Sequence, residues 1–544
     1  MATNVGLLLE QALAARRQGN WAVAQRLYGA AVVANPEDAI IHHNLALCLH
    51  ALGHNAVARE HAETVTRRVP QLAQAWVLRA RIERSLDEAE SAEHSLRTAL
   101  GISPGNPSVL LELANLTLNE LGDARAVQRL VEPLLGNPEY GEDAQLATLM
   151  AKLYDRDENA EEFTRQIIAF SRRYLRIPDF RFTAKRKQRP ADRKAKARVG
   201  LLSPLFSVSP VYFFTIGALT ILAKEWDLVI LNRGTQNDWG TEKFRAIARE
   251  WHDVAHLPAE ALANAIYANN LNLIIDLGGW TDPIGLKALS TRPAPKMFKW
   301  VGGQSCTTGL DVFDGFISDE QQTPNECRHL YTEPLLLIES GYVSYTPPDY
   351  MPTRASATKT QNNRAGVISN PVKISAAFLT ALAAKRRDPK GGVGKLTFID
   401  RRYRHAAVRE RVLRGLAEGQ PTDAKLETVE FIAPTSHREY LQQVSELGQV
   451  IDTFPYNGGL TTAEALHWRV PCLTAKGELF SERHSLGHCH YAGYEPAVTP
   501  AQHAKNGRWQ LHNAAKINQP GSRHVHDRQA GVAAALLAGI GGAA

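Results

Sequence analysis

The sequence predicts an N-terminal α-helical solenoid followed by a pair of Rossmann-like α/β domains, and three observations predict it. Prolines recur at a spacing of 34 residues early in the chain, at Pro36, Pro70, Pro104 and Pro138. From Ala197 onward, short β-branched runs alternate with helical stretches. A break at Pro347, Pro348 and Pro352, continued by the polar stretch Thr353 to Arg364, divides those runs into two sets. The expected division is residues 1–172 for the repeats, 173–197 for a basic linker, 198–350 for one α/β domain and 351–544 for a second that ends in a helix. With 544 residues, 44% hydrophobic and 22% charged, the composition excludes a mostly disordered or fibrous chain.

Four registers keep the 34-residue period in phase. Besides the prolines, they are Ala12, Ala46, Ala80 and Ala114; Ala24, Ala58, Ala92 and Ala126; and Tyr28, Ala62, Leu96 and Leu130. Gly19 and Gly53 fall at the turns between paired helical segments. This is the period of tetratricopeptide repeats (TPRs), in which small residues let helix pairs stack and bury faces that one pair cannot bury alone. About four repeats are expected, with Gln145 to Arg172 as a degenerate closing unit that keeps Ala160 but has no proline. The groove of such a solenoid fits a protein or peptide, and a support or dimerisation role leaves a homo-oligomer open.

The net charge of +6 is unevenly placed, because Arg172 to Arg198 holds 12 Lys and Arg against Asp179 and Asp192. Pro178 and Pro190 interrupt that run, so it reads as a solvated linker and not as a nucleic-acid surface. The 5 cysteines (Cys48, Cys306, Cys327, Cys472, Cys489) form no CxxC pair, which argues against a disulfide framework or zinc ribbon. No basic leader precedes an apolar core, and the apolar tail 531–544 is too short to span a bilayer, so a cytoplasmic chain is expected.

Strands are expected in VGLLSPLF (from Val199), WDLVILNRG (from Trp226), LNLIIDLGG (from Leu271), KMFKWVGG (from Lys296) and GFISD (from Gly315). The second set is AGVISN (from Ala365), KLTFIDR (from Lys395), ETVEFIA (from Glu427), GQVIDTF (from Gly448) and PCLTAKG (from Pro471). Ligands of such sheets bind outside the carboxyl ends of the strands. The most informative segment there is IDTFPYNGGLTTAEALHW, with a strand ending at Thr453, the loop Tyr456-Asn457-Gly458-Gly459, and a helix opening at Thr461-Thr462. Free N–H groups at that helix start and two hydroxyls suit a diphosphate, with Glu464 one turn in to accept ribose hydroxyls; the same pattern also fits an ordinary capped helix. ISNPVKIS places Asn370 and Lys373 after another strand of the same set, where a lysine can neutralise a departing phosphate or lie on the surface.

The repeats, then RPAPKMFKWVGGQSCTTGLDVFDGFISDEQQTPNECRHLYTE, VKIS and DTFPYNGGLTTAEALHWRVPCLTAKGELFSERHS, resemble the O-linked N-acetylglucosamine transferase family in its bacterial, SPINDLY-like form (glycosyltransferase family 41). The RPAP…WxG run, Asp319 with its Thr323-Pro324 follow-on, and DTFPYNGG carry the likeness. It implies a GT-B pair of Rossmann-like domains, the first on the acceptor side and the second binding a nucleotide sugar. It also implies no metal, and inversion of the sugar during transfer to protein side chains.

On this resemblance Lys373 takes the place of a lysine that contacts the donor diphosphate, and Asn370 that of a glutamine beside it. Asn457, Gly458, Gly459, Thr461 and Thr462 form the phosphate turn, Glu464 replaces a ribose-binding aspartate, and Arg483 matches an arginine after Gly477-Glu478. Tyr440 stands where a histidine stacks on the base, a job tyrosine can also do. Two histidines usual in the first domain are Ser209 and Trp280 here. Asp282 is therefore a candidate base, with helix capping as its other reading and the diphosphate itself as the other proton acceptor. His484, His488, His490 and Cys489 have no HExxH carboxylate, so no metal is expected there.

The leading expectation is a protein glycosyltransferase transferring GlcNAc or a hexose, with a UDP-sugar as donor, to Ser or Thr of a protein held by the repeats. The alternatives are a flagellin transferase using a nonulosonic acid, an asparagine N-hexosyltransferase, and a scaffold with a decayed transferase domain. No other cofactor, no nucleic acid and no membrane span are expected.

Overall fold

A computed structural model describes residues 5–178, 182, 196–353, 364–386, 395–418, 428–493, 497–500, 502–503, 509–510 and 528–541. Most of the basic run and the polar stretch 354–363 lie outside them. The chain forms two units, one of Met1–Lys152 with His405–Arg409, the other of Leu153–Arg404 with Glu410–Ala544. Among the described residues, no helix is long and apolar enough to cross a membrane.

The repeat unit is a run of antiparallel helix pairs: Val5–Arg17 with Trp21–Ala34, Ala39–Ala51 with Asn55–Arg68, and Ala73–Ser85 with Ala89–Ile102. Each pair ends two residues before its proline, as expected where proline pushes the preceding residue out of the helical region. The small-residue registers are the packing surface, since Ala12, Ala24, Ala46, Ala58, Ala80, Ala92 and Ala114 are all buried.

The fourth repeat departs from the register. Helix Pro107–Leu116 runs into a π-helical turn, Thr117–Leu121, which adds one residue before the second helix, Ala124–Val131. Ala126 and Leu130 are consequently only part-buried, and Val127 and Val131 take the core positions. The inter-helix turn slips with them. Left-handed backbone occurs at Gly19, Gly53 and Asp87, then at Gly122, one residue late. Asp87 (φ 66°) fills a position the earlier repeats give to glycine, and aspartate tolerates that conformation better than most residues.

The second unit contains two parallel sheets. The first joins β1 (Ala197–Ser203), β2 (Trp226–Asn232), β3 (Glu250–Asp253), β4 (Leu273–Asp276), β5 (Lys296–Lys299), β6 (Gly315–Ser318) and β7 (Leu335–Leu337) in the order 3-2-1-4-5-6-7. The second joins β8 (Arg364–Val367), β9 (Lys395–Ile399), β10 (Val429–Ile432), β11 (Gln449–Ile451), β12 (Cys472–Lys476) and β13 (Ala497–Pro500) in the order 10-9-8-11-12-13. Both have the doubly wound strand order whose switch point, between the first and fourth strands of each sheet, opens a ligand crevice. Central strands such as β4 are buried along their whole length and read as continuous apolar runs.

Within these two sheets, β3, β7 and β13 had no sequence signal. All three are sheet edges, and the β3 segment Glu-Trp-His-Asp is polar because one side meets water. The expected strand through Thr453 stops at Ile451, and the Asp452 N–H makes one more bond to the neighbouring strand, to the Leu473 carbonyl at 2.9 Å.

Two helices sit elsewhere than the sequence divided them. Ala160–Phe170, read as part of the closing repeat, belongs to the two-sheet unit: Phe170 packs 6.1 Å from Trp280, and Ser171 Oγ donates to the Thr308 carbonyl at 2.7 Å. The final helix, Gln529–Gly541, follows the second sheet in sequence but packs on helix Pro210–Leu222 of the first. Gln529 donates to Thr346 Oγ1 at 2.9 Å there, and Arg528 to the Ser340 carbonyl at 2.9 Å.

Candidate active site

Loops after β5 and β6 meet those after β11 and β12. Ser305 Oγ lies 3.1 Å from Tyr456 Oη, and the Ser481 N–H donates to the Ser305 carbonyl at 2.9 Å. Gln322 Nε2 donates to the Arg483 carbonyl at 3.1 Å, while Phe214 stacks on His488 at 5.2 Å. The loops at the carboxyl ends of both sheets thus meet at one place.

After β8, the Asn370 side chain caps a 3-10 turn, Pro371–Lys373, by accepting the Val372 N–H at 3.1 Å. Lys373 is delivered at the end of that turn. Its Nζ donates to the Asn457 carbonyl at 2.7 Å and lies 4.2 Å from the centre of the Tyr456 ring. Burial lowers the ammonium from 10.5 to about 8, with the charge of Asp452 acting in the opposite direction. Two N–H bonds of a three-donor group remain for a ligand.

After β11, one buried carboxylate shapes the loop. Asp452 accepts from the N–H of Thr453 at 2.9 Å, the N–H of Gly458 at 2.7 Å and the hydroxyl of Thr474 at 2.7 Å. Asn457 is fully buried, donating its N–H to the Ser481 carbonyl at 2.8 Å and its side-chain amide to Thr453 at 2.9 Å. It shapes the turn and supplies the carbonyl that receives Lys373.

Helix Leu460–His467 then begins at Gly459 with no side chain capping it. Helices beginning after Ser209, Asp238, Asp282 and Ser436 all have such a cap. The nearest atom to a Cβ on Gly459 would be His484 Cδ2 at 4.0 Å, so the helix start is open, and half-buried Thr461 follows it. Open N–H groups beside a lysine ammonium form an anion site.

Gly458 is the tight point. A Cβ there would lie 2.5 Å from Thr462 Oγ1, 2.9 Å from Thr461 Oγ1 and 3.1 Å from Asp452 Oδ1. Thr462 cannot yield easily, because its hydroxyl bonds Ser485 at 2.6 Å. Gly458→Ala is expected to cost about 1–3 kcal/mol as overpacking, measured by urea denaturation.

The other expected site residues divide. Tyr440 donates to the Ile368 carbonyl at 3.3 Å and stacks at 6.0 Å on His437. Glu464 is buried, and its Oε1 pairs with His437 Nε2 at 2.8 Å, while His437 Nδ1 lies 2.8 Å from Tyr350 Oη. Burial pushes the Glu464 carboxyl up and the histidine opposes this.

Two candidates have other work. Arg483 is 3% exposed and spends Nε on the Gln321 carbonyl at 2.6 Å and Nη1 on the Gly477 carbonyl at 2.9 Å. It ties the lobes together instead of facing a donor. Asp282 is buried against Arg233, with contacts of 2.9 and 3.2 Å, and accepts the Gly285 N–H at 3.1 Å as the cap of helix Pro283–Leu289. Both carboxylate oxygens are thus engaged by Arg233 and the helix start, which corrects the assignment of Asp282 as catalytic.

The residues at the two histidine positions are structural as well. Ser209 caps helix Pro210–Leu222, and Trp280, 5% exposed, donates its indole N–H to the Thr307 carbonyl at 3.0 Å. Among the described residues no group of three His, Cys, Asp or Glu could hold a metal ion. His484 and His488 are buried with rings 6.4 Å apart, and burial drives both below the usual histidine range, to about 3 for His488.

Sequence reasoning missed Asp452, Tyr456 and His437 as site residues. The first two lie in the motif already singled out. His437 is one helical turn before Tyr440, a spacing that places both on one face.

Comparison with known proteins agrees with this architecture. The tetratricopeptide repeat family matches residues 9–55 and 51–107. A Petunia hybrida protein named probable UDP-N-acetylglucosamine–peptide N-acetylglucosaminyltransferase SPINDLY is 25% identical over 303 residues, covering 53% of this chain and 31% of the relative. Its Arabidopsis thaliana counterpart is 24% identical over 303 residues, covering 53% of this chain and 32% of that one. The chain thus spans about a third of the curated relatives it matches. A lysine-to-methionine mutant of O-GlcNAc transferase from Thermobaculum terrenum superposes with a TM-score of 0.68 at 21% identity, over 91% of this chain and 87% of that one. The fold is that of a repeat solenoid followed by two Rossmann-like domains.

Proposed function

We propose that this chain is a protein glycosyltransferase. It binds a nucleotide sugar, of the UDP-GlcNAc or UDP-hexose class, and transfers the sugar with inversion to a Ser or Thr hydroxyl of a polypeptide presented by the repeats. A cytoplasmic location belongs to the same proposal. One observation carries it: the Lys373 ammonium and the open start of helix Leu460–His467 converge on the turn Asn457–Gly459. The names of the relatives support the reaction class.

In this reading the acceptor oxygen bonds to the anomeric carbon as the bond from that carbon to the phosphate oxygen breaks. Lys373 and the helix N–H groups stabilise the charge developing on the diphosphate. With Asp282 engaged by Arg233, the departing diphosphate takes the acceptor proton.

The test uses the full chain with UDP and CMP in calorimetry, then UDP-GlcNAc, UDP-glucose and a CMP-linked sugar with Ser/Thr-rich peptides read by intact mass. UDP should bind more tightly than CMP, and one UDP-sugar should add one hexose or N-acetylhexosamine. Failure to bind any nucleotide at millimolar concentration would support a scaffold instead.

A further inference from the structure

Three consecutive residues just past the repeat helix Gly141–Lys152 reach three different parts of the candidate donor site. The Tyr154 ring stacks on Tyr456 with centres 5.0 Å apart and planes 18° from parallel. Tyr456 is the ring on which the Lys373 ammonium rests. Asp155 Oδ2 accepts the N–H of Ala376 at 3.3 Å, the first residue of the helix that follows Lys373. Arg156 forms a buried ion pair with Glu482, whose other carboxylate oxygen accepts the N–H groups of Glu478 and Leu479 at 2.9 and 3.2 Å. The lysine turn, the ring beneath the lysine and the loop after β12 are thus all held from one short segment.

We propose that Tyr154–Arg156 is a positioning strap, which sets the orientation of Lys373 toward the donor phosphate by fixing the Tyr456 ring and the turn that carries the lysine. This rests on the reading of Lys373 as a donor-phosphate ligand. The strap touches no reacting atom. Tyr154 backs Tyr456, Tyr456 shields the ammonium from water, and Asp155 fixes the backbone three residues beyond the lysine. Positioning of this kind acts mainly on kcat, because a displacement of about 1 Å at a charged ligand can cost on the order of 100-fold in rate.

The decisive variants are Tyr154→Ala, Tyr154→Leu and Tyr154→Phe in the full chain. Two readouts are taken, and only one depends on the proposed reaction. The first is acylation of Lys373 by acetic anhydride across pH 6–11, resolved by peptide mass spectrometry. In the wild type the midpoint should lie near 8, and in Tyr154→Ala and Tyr154→Leu it should move up toward the ordinary lysine value of 10.5 as water reaches the ammonium. The second is steady-state transfer, where kcat should fall about 10- to 100-fold with little change in KM. Tyr154→Phe, which keeps the ring, should restore both.

A merely structural role would lower stability without moving the lysine midpoint. Tyr154→Leu keeps most of the buried volume, and decides the matter if the alanine variant fails to fold. An unchanged Lys373 midpoint in a folded Tyr154→Leu protein would overturn the strap. A wild type that binds no nucleotide would instead overturn the transferase reading, with the acylation readout still deciding the strap.

Discussion

Replacing Lys373 with Ala is expected to lower sugar transfer by about 100- to 1,000-fold, the range seen when one preorganised donor to a developing anion is removed. The protein should stay folded. Lys373 has a folded-state value of about 8 against 10.5 for the free side chain, so between those values the folded chain holds fewer protons than the unfolded one. Stability contributed by this site therefore rises as pH climbs from 8 to 10.5, and at neutral pH the buried ammonium is a net cost. Lys373→Met should have a Tm at pH 7 equal to or above that of the wild type while turnover collapses.

The same lowered value gives the wild type a pH signature. Nucleotide affinity should decline as pH rises through 8, because the free site loses its cation. Binding at pH 8.5 should take up a proton, since a diphosphate favours the charged lysine. Calorimetry in buffers of different ionisation enthalpy measures that uptake directly.

Asp282→Ala is expected to destabilise the protein by about 3–5 kcal/mol, because it leaves the Arg233 guanidinium buried without its counter-charge. Arg233 also donates to the carbonyls of Val254 and Leu257, at 2.9 and 3.1 Å, so it stays anchored in the interior when the carboxylate is gone. Asp282→Asn keeps an acceptor for the Gly285 N–H but not the charge, and should lose less stability. Its kcat at a temperature where it is fully folded should remain within a few-fold of the wild type. A drop of three or more orders of magnitude in folded Asp282→Asn would restore Asp282 as the general base. Urea denaturation and transfer kinetics on the same sample separate the outcomes.

Much of the fold was legible because it is periodic. Apolar runs locate the central strands, buried on both faces, and a proline register locates the helix pairs of the repeats. The edge strands carry no such pattern, and β3 reads as a polar loop for that reason. The slip at Ala126 was hidden because a π-helical turn inserts a residue without leaving a distinctive sequence.

At the site, local chemistry was readable and long-range pairing was not. Lys373, Gly458 and Gly459 follow from strand–turn–helix logic. Arg483 fits that logic equally well, yet its partner Gln321 lies 162 positions away, and only the folded chain brings it to Arg483. Glu464 was expected to face a ribose, but one oxygen is engaged by His437, so any ribose contact uses the other. The stacking of Tyr154 on Tyr456 joins residues 302 positions apart, beyond the reach of any spacing argument.

The most direct test of the central claim is a crystal structure of the full chain with UDP bound. The diphosphate should lie over the N–H groups of Gly459, Leu460 and Thr461, with a phosphate oxygen within hydrogen-bond distance of Lys373 Nζ. A nucleotide seated elsewhere in the crevice, with Lys373 still turned to the Asn457 carbonyl and the helix start empty, would contradict it.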